Sequence, residues 1–398
     1  MKNLLLVFTE NYPRGGGNRY MIDLINGIIE DFQDVMISSN PNGVYLEELE
    51  RLSRPVKTLG VFFLSRTRLF IGFKDPNSLI VHLVRKGCFF LDPIFLIVNI
   101  CFFLAFLLKT KPARILVCNG SYPSSQACLA MVIAARICRI NVIMSIVSVP
   151  AQRGFSRHYE KILDLMVWQC VTLVLVNAYA IKNALVSFRE AQDNQIMVLY
   201  NGVEDRAPEI TVKGDDSKFV IGCIARMDES KGVLILFDAF SSLVKSHPEL
   251  RLVLAGYGNA SEELARRTEA LGLQNQVQLL GHYDGDVSVL LNTFDVYVFP
   301  SLWEGFPYSI IESLRSGCVI VATKVGGVPE AITNGVEGLL IEPGSRDEII
   351  LAIEELMVNK NMRQTLARNA RIKFEQELTL PKMHLRVREV FAELQGRN

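Results

Sequence analysis

The chain has 398 residues, with 42 Lys+Arg against 42 Asp+Glu, so its net charge is zero and a basic nucleic-acid binder is excluded. That length favours two domains of about 200 residues, each able to bury a core without disulfide or metal staples. The eight cysteines (88, 101, 118, 128, 138, 170, 223, 318) form no C-x-x-C pair, which argues against a disulfide framework or zinc site and for a reducing, cytoplasmic setting.

Short apolar runs alternate with helical stretches through the first half, the pattern of a doubly wound parallel sheet. The run at 4–8 meets Glu10 too soon for a signal peptide and reads as a first buried strand. Next come Arg14, Gly15, Gly16, Gly17 and Asn18, then a helix beginning near Arg19, with Met21, Leu24, Ile25 and Ile28 on one face. The glycines admit two readings: a flexible β–α turn, or close approach of backbone to a ligand. They do not fit G-x-G-x-x-G, so an NAD site is not expected. Further strands are expected at 35–38, 56–59, 115–118, 142–146, 173–176 and 197–199.

Residues 93–108 contain one polar side chain, Asn99. At about 1.5 Å per residue this stretch falls short of the roughly 30 Å of a bilayer core. It either packs inside the first domain or lies shallowly on a membrane, with Arg85, Lys86, Lys109, Lys111 and Arg114 nearby.

Asn201-Gly202-Val203-Glu204 precedes a polar linker at 205–218 containing Pro208 and Gly214. The alternation then restarts, with strands expected at 219–224, 251–254, 277–280, 296–299, 319–322 and 338–341. Arg226 and Lys231 follow the strand at 219–224, five residues apart, where they could converge on a diphosphate. After the strand at 296–299 comes a loop with Trp303, Glu304, Gly305 and Phe306. Pro307, Tyr308 and Ser309 open a helix whose N–H groups favour an anion, and Gly317 closes it. Glu304 and Glu312 have seven residues between them. An amphipathic helix is expected over 381–395.

The EGFPYSIIESL wording and the spacing of Glu304 and Glu312 resemble the E-x7-E signature of the group 4 family of retaining, two-domain (GT-B) glycosyltransferases. The resemblance is strongest over residues 200–345. It implies an α/β fold of two Rossmann-like doubly wound parallel-sheet domains, with the active site in the cleft between them. The first domain would be 1–204, joined by a C-terminal helix at 381–398, and the second, nucleotide-sugar-binding domain 205–380. The implied reaction is metal-independent transfer of a hexosyl unit from a nucleoside diphosphate sugar, UDP-sugar favoured over GDP-sugar, to a saccharide or lipid-linked saccharide.

By the resemblance, Glu304 lies beside the transferred sugar, while Arg226 and Lys231 stabilise the departing nucleotide. Glu312 accepts from the ribose hydroxyls, and Gly305, Phe306, Pro307, Tyr308 and Ser309 complete the donor site. Gly16 and Gly17 face the donor phosphates and acceptor, and His282 lies near the base or is a satisfied loop histidine. Gly326, Gly327 and Glu330 match a further family loop of less defined role. One departure is the segment SIVSVPAQRG, which has no histidine before His158 where many members place one; either Ser148 or a neighbour substitutes, or the cleft differs there. The five histidines are scattered, and no metal or cofactor is expected. Two alternatives stay open: a sugar-nucleotide epimerase of the same fold, and a non-catalytic sugar-nucleotide-binding subunit. A retaining glycoside hydrolase would also use paired carboxylates, but leaves Arg226 and Lys231 without a role.

Overall fold

The computed structural model describes residues 3–10, 15–40, 47–65, 87–123, 125–154, 157–206 and 217–395. Arg14, Arg85, Lys86 and most of the expected linker, Pro208 and Gly214 included, lie outside them. The chain forms two units, one of 1–200 with 383–398 and one of 201–382.

The first unit is built on seven parallel strands in the order β3-β2-β1-β4-β5-β6-β7. These are β1 (Leu4–Thr9), β2 (Asp34–Ser39), β3 (Lys57–Gly60), β4 (Arg114–Asn119), β5 (Asn141–Ile146), β6 (Leu173–Val176) and β7 (Ile196–Val198). Covered on both faces, β1 and β6 are buried at every position, which is why their sequences read as continuous apolar runs. Helices α1 (Gly16–Ile28), α2 (Asp92–Thr110), α3 (Gln126–Ile137), α4 (Arg157–Cys170) and α5 (Tyr179–Arg189) make the crossovers. The first helix starts at Gly16, three residues before the apolar periodicity reveals it. Glycine is a poor helix former, so Gly16 and Gly17 hide inside its first turn.

The second unit carries six parallel strands in the order β10-β9-β8-β11-β12-β13. They are β8 (Phe219–Ile224), β9 (Leu250–Ala255), β10 (Val277–Gly281), β11 (Val296–Phe299), β12 (Ile320–Thr323) and β13 (Leu339–Ile341). Between them run α6 (Val233–Leu243), α7 (Ser261–Ala270), α8 (Val287–Leu291), α9 (Tyr308–Arg315) and α10 (Val328–Ala331), followed by α11 (Arg346–Val358) and α12 (Lys360–Glu377). Helix α6 lays Val233, Leu236, Phe237 and Phe240 on this sheet, where they meet Ile221, Leu252 and Val298.

The last helix, α13 (Leu380–Gln395), brings its later turns into the first unit. Arg388 Nε donates to the Gly27 carbonyl at 2.9 Å, and Phe391 meets Phe32 edge to face at 6.4 Å. In both sheets the strand order reverses at one point, between β1 and β4 and between β8 and β11. Open α/β sheets bind ligands beyond the carboxyl ends of the strands at such a reversal.

Candidate active site

Beyond β8 and β11 the two loops touch. Leu302 N donates to the Ser230 carbonyl at 2.8 Å. Gly232 sits at φ +65, and a Cβ there would fall inside the Pro300 carbonyl. This close approach sets Lys231 Nζ 2.5 Å from Glu304 Oε1, with the two side chains 19% and 12% exposed. Ser301 Oγ donates to the same carboxylate oxygen at 2.8 Å, while the Ser301 carbonyl accepts from Thr323 Oγ1 at 2.5 Å. Thus β8, β11 and β12 all contribute to fixing Glu304.

Gly326 and Gly327 complete the support. Gly327 N donates to the Gly305 carbonyl at 2.6 Å, and Gly326 adopts φ +51 against the Glu304 carbonyl, where a Cβ would collide. From the other side, the buried Asn201 amide donates to the Phe306 carbonyl at 2.6 Å. The Asn201-Gly202-Val203 turn and the Gly326-Gly327 loop therefore hold the Glu304–Pro307 backbone between them. Pro307 is extended and precedes α9, whose first residues are Tyr308 and Ser309. Glu312, half-buried, follows one turn later.

Under this loop lies Tyr297, wholly buried, its hydroxyl 3.3 Å from the Ile224 carbonyl and hydrogen-bonded by Ser309. Burial, with Cys223, Glu312 and Glu304 close by, holds the phenol well above its usual pKa, so it stays neutral. The spacing of Glu304 and Glu312 is visible in sequence; the roles of Tyr297, Ser301, Thr323, Asn201 and Gly326 depend on contacts that no local pattern encodes.

Not every expected residue converges. The Arg226 guanidinium is 71% exposed and pairs with Asp228 at 3.1 Å, so it does not meet Lys231 here. His282 is also exposed, its Nε2 3.0 Å from Asp284. The sequence expectation of no metal overlooks one D-x-D triplet, Asp284-Gly285-Asp286. Its carboxylates are engaged separately: Asp284 faces His282, while Asp286 accepts from Ser288 N and Oγ at the start of α8. Those two hydrogen bonds hold the Asp286 carboxyl below its usual pKa. Among the described residues, no three His, Cys, Asp or Glu side chains are grouped to hold a metal ion.

In the first unit, a cavity of about 180 Å³ opens beyond β1, β4 and β5, lined by Thr9, Glu10, Gly17, Asn119, Ser145 and Val147 among others. Asn119 is buried, and neither atom of its amide has a hydrogen-bond partner. A Cβ on Gly15 would meet nothing, and one on Gly17 would make only ordinary contact with Val147. Packing within the chain therefore does not demand these glycines. Ser145 of β5 and Val147 just after it line the cavity; Ser148 does not.

Residues 205–373 match the family model of glycosyl transferases group 1. Most of the second unit, residues 201–382, is thus similar to that family. The capsular polysaccharide biosynthesis glycosyltransferase CapM of Staphylococcus aureus is 25% identical over 240 residues, covering 57% of this chain and 63% of its own. An Escherichia coli UDP-Gal:alpha-D-GlcNAc-diphosphoundecaprenol alpha-1,3-galactosyltransferase is 23% identical over 302 residues, covering 72% of this chain and 77% of its own. The chain spans less than two thirds of the length of the first curated relatives it matches. The crystal structure of Anabaena HepE in complex with UDP superposes with a TM-score of 0.76 at 20% identity, over 99% of this chain and all of that one. With its two parallel-sheet Rossmann-like domains, the chain has the GT-B fold.

Proposed function

We propose that the protein is a retaining, group 4-type glycosyltransferase of polysaccharide or glycoconjugate synthesis. It moves a hexosyl unit from a nucleoside diphosphate sugar to a saccharide or lipid-linked saccharide in the cytoplasm. The observation that carries this reading is the Lys231–Glu304 pair, held beyond the β8–β11 reversal beside the start of α9. A UDP-sugar is the favoured donor: HepE is seen with UDP, and the E. coli relative is described as using UDP-Gal.

In the proposed reaction the anomeric C–O bond breaks and its electron pair goes to the departing diphosphate. The acceptor hydroxyl oxygen bonds to the same face of the anomeric carbon, and its proton passes to a diphosphate oxygen. Lys231 has three N–H donors and gives one to Glu304; the others are available to the diphosphate. Arg226, exposed on the surface beside Asp228, turns in to supply a fork, and the α9 N-terminus faces the same anion. These groups act on charge that grows in the transition state, which raises kcat. Glu304 holds the hydroxyls of the transferred sugar, and Glu312 the ribose. In the first unit, Gly16 and Gly17 let backbone approach the ligand, and the unpaired Asn119 amide offers both a donor and an acceptor to saccharide hydroxyls. An epimerase would keep Arg226 and Lys231 but has no use for an acceptor cavity.

The stereochemistry gives the test. Incubated with a UDP-hexose and no saccharide, the enzyme slowly transfers to water, and NMR reads the anomer first released. Release of the donor's own anomer supports the reading; the opposite anomer, or an epimerised sugar nucleotide, overturns it.

A further inference from the structure

Helix α2 runs to 19 residues, longer than the stretch read from sequence, and is long and apolar enough to cross a membrane by length and composition alone, yet it packs against α3 of the first unit. Its mean hydropathy is 2.1, and only 28% of the apolar window is buried. The buried side includes Phe95, Leu96, Phe103 and Leu107. Asn99 is on that side too, with no exposure, its amide bonded to both Leu64 N and Leu64 O at 2.8 and 2.9 Å. The helix's one uncharged polar group of note thus faces the protein, and its outer face is left wholly apolar. Ile94, Ile97, Cys101 and Leu108 fall on that outer face at intervals of three, four and seven, and all are exposed. Phe102, also exposed, meets the exposed Phe62 at 5.8 Å.

The stripe has a counterpart. Helix α3 packs against both α2 and α4 and is buried along most of its length. On α4, Ile162, Leu165 and Met166 are exposed. Single exposed apolar residues are ordinary; two stripes flanking one buried helix mark an interaction surface.

Charge identifies what covers it. Helix α3 has no carboxylate, and Asp92 of α2 and Asp164 of α4 are buried. Glu160 of α4 is held by Arg189 at 2.6 Å. The exposed side of the three helices therefore presents no free carboxylate. Four exposed cations, Lys109, Lys111, Arg136 and Arg139, gather where α2 and α3 end and the chain re-enters β4 and β5. Because β4 and β5 are adjacent and parallel, these ends lie at one edge of the sheet. Among the described residues no carboxylate holds any of the four.

We propose that this helix layer docks on an anionic lipid bilayer. Its apolar stripes enter the boundary between headgroups and acyl chains, and the four cations meet lipid phosphates at one rim. Helix α2 lies along the surface and does not span it, because its inner face stays on α3. The inference does not depend on the reaction proposed above.

Sedimentation of the full chain with phosphatidylcholine vesicles, with and without phosphatidylglycerol, tests this. Binding to the anionic vesicles is expected, weakened by raised salt through screening and released by salt without detergent. The variant K109Q/K111Q/R136Q/R139Q is expected to bind at least 100-fold more weakly, from about fivefold per cation. The I97S/L108S variant is also expected to lose binding to the anionic vesicles. All these side chains are exposed, so an unchanged Tm and an unchanged response to UDP confirm folding separately. Equal binding by wild type and both variants, or a need for detergent to release the protein, overturns the proposal. So does absence of binding with a dimer that I97S/L108S dissociates, since the face would then join two copies of the chain.

Discussion

Replacing Lys231 by alanine is expected to lower kcat by about 1000-fold, measured as nucleotide release under saturating donor, with a smaller effect on donor affinity. Loss of one preorganised group facing developing charge typically costs about 100- to 1000-fold, and a full positive charge in a half-buried loop belongs at the upper end. The same substitution leaves Glu304, 12% exposed, with Ser301 as its one remaining side-chain partner among the described residues. Loss of that charge-assisted hydrogen bond costs about 2 kcal/mol, or about 6 °C in the Tm of a unit of this size. Lys231→Arg restores the charge but not the point geometry, so stability recovers more than rate. If Lys231→Ala loses stability while kcat stays within a few-fold, the lysine is structural and the proposed role fails.

The second large effect comes from a residue that touches no proposed substrate. Gly326→Ala places a methyl group inside the Glu304 carbonyl at φ +51, and neither backbone can yield without moving the Glu304 loop. The left-handed conformation alone costs alanine about 1–2 kcal/mol, and the collision brings the total to about 3 kcal/mol. Activity falls further than stability suggests, because displacing a catalytic group by about 1 Å costs roughly 100-fold. Gly335→Ala is the control: φ is +77, yet open space surrounds the new methyl. It should lose about 1 kcal/mol and keep full kcat. If the two variants have the same activity, the Gly326 contact does not position Glu304.

Sequence made the strands legible because both faces of each sheet are covered, so β1, β6 and β11 are buried at every position and mostly apolar. Glu304, Lys231 and the start of α9 were legible because each sits at a fixed offset from a strand end. The limits were physical as well. Gly16 and Gly17 conceal the first turn of α1, since glycine carries no periodicity. The expected convergence of Arg226 with Lys231 fails here because Asp228, two residues away, pairs with the guanidinium. Gly326 and Asn201 act on the Glu304–Pro307 backbone across many residues of chain, and that contact exists only once the loops beyond β8, β11 and β12 are assembled. Residues 93–108 read as either core or membrane-facing, and α2 proves half-packed, with one face on the protein and the other exposed.

The most direct test of the central claim is thermal unfolding of the full chain with UDP, GDP, ADP or NAD, repeated with Arg226→Ala. Arg226 is 71% exposed, so its removal should leave the ligand-free midpoint unchanged. UDP at a hundredfold excess over Kd is predicted to stabilise the protein by about 2.7 kcal/mol, and the shift should shrink in the variant. A shift with another nucleoside diphosphate instead would change the donor base and keep the site. No shift with any of the three diphosphates, or a shift with NAD alone, would contradict a nucleotide-sugar site built on Lys231, Glu304 and the start of α9.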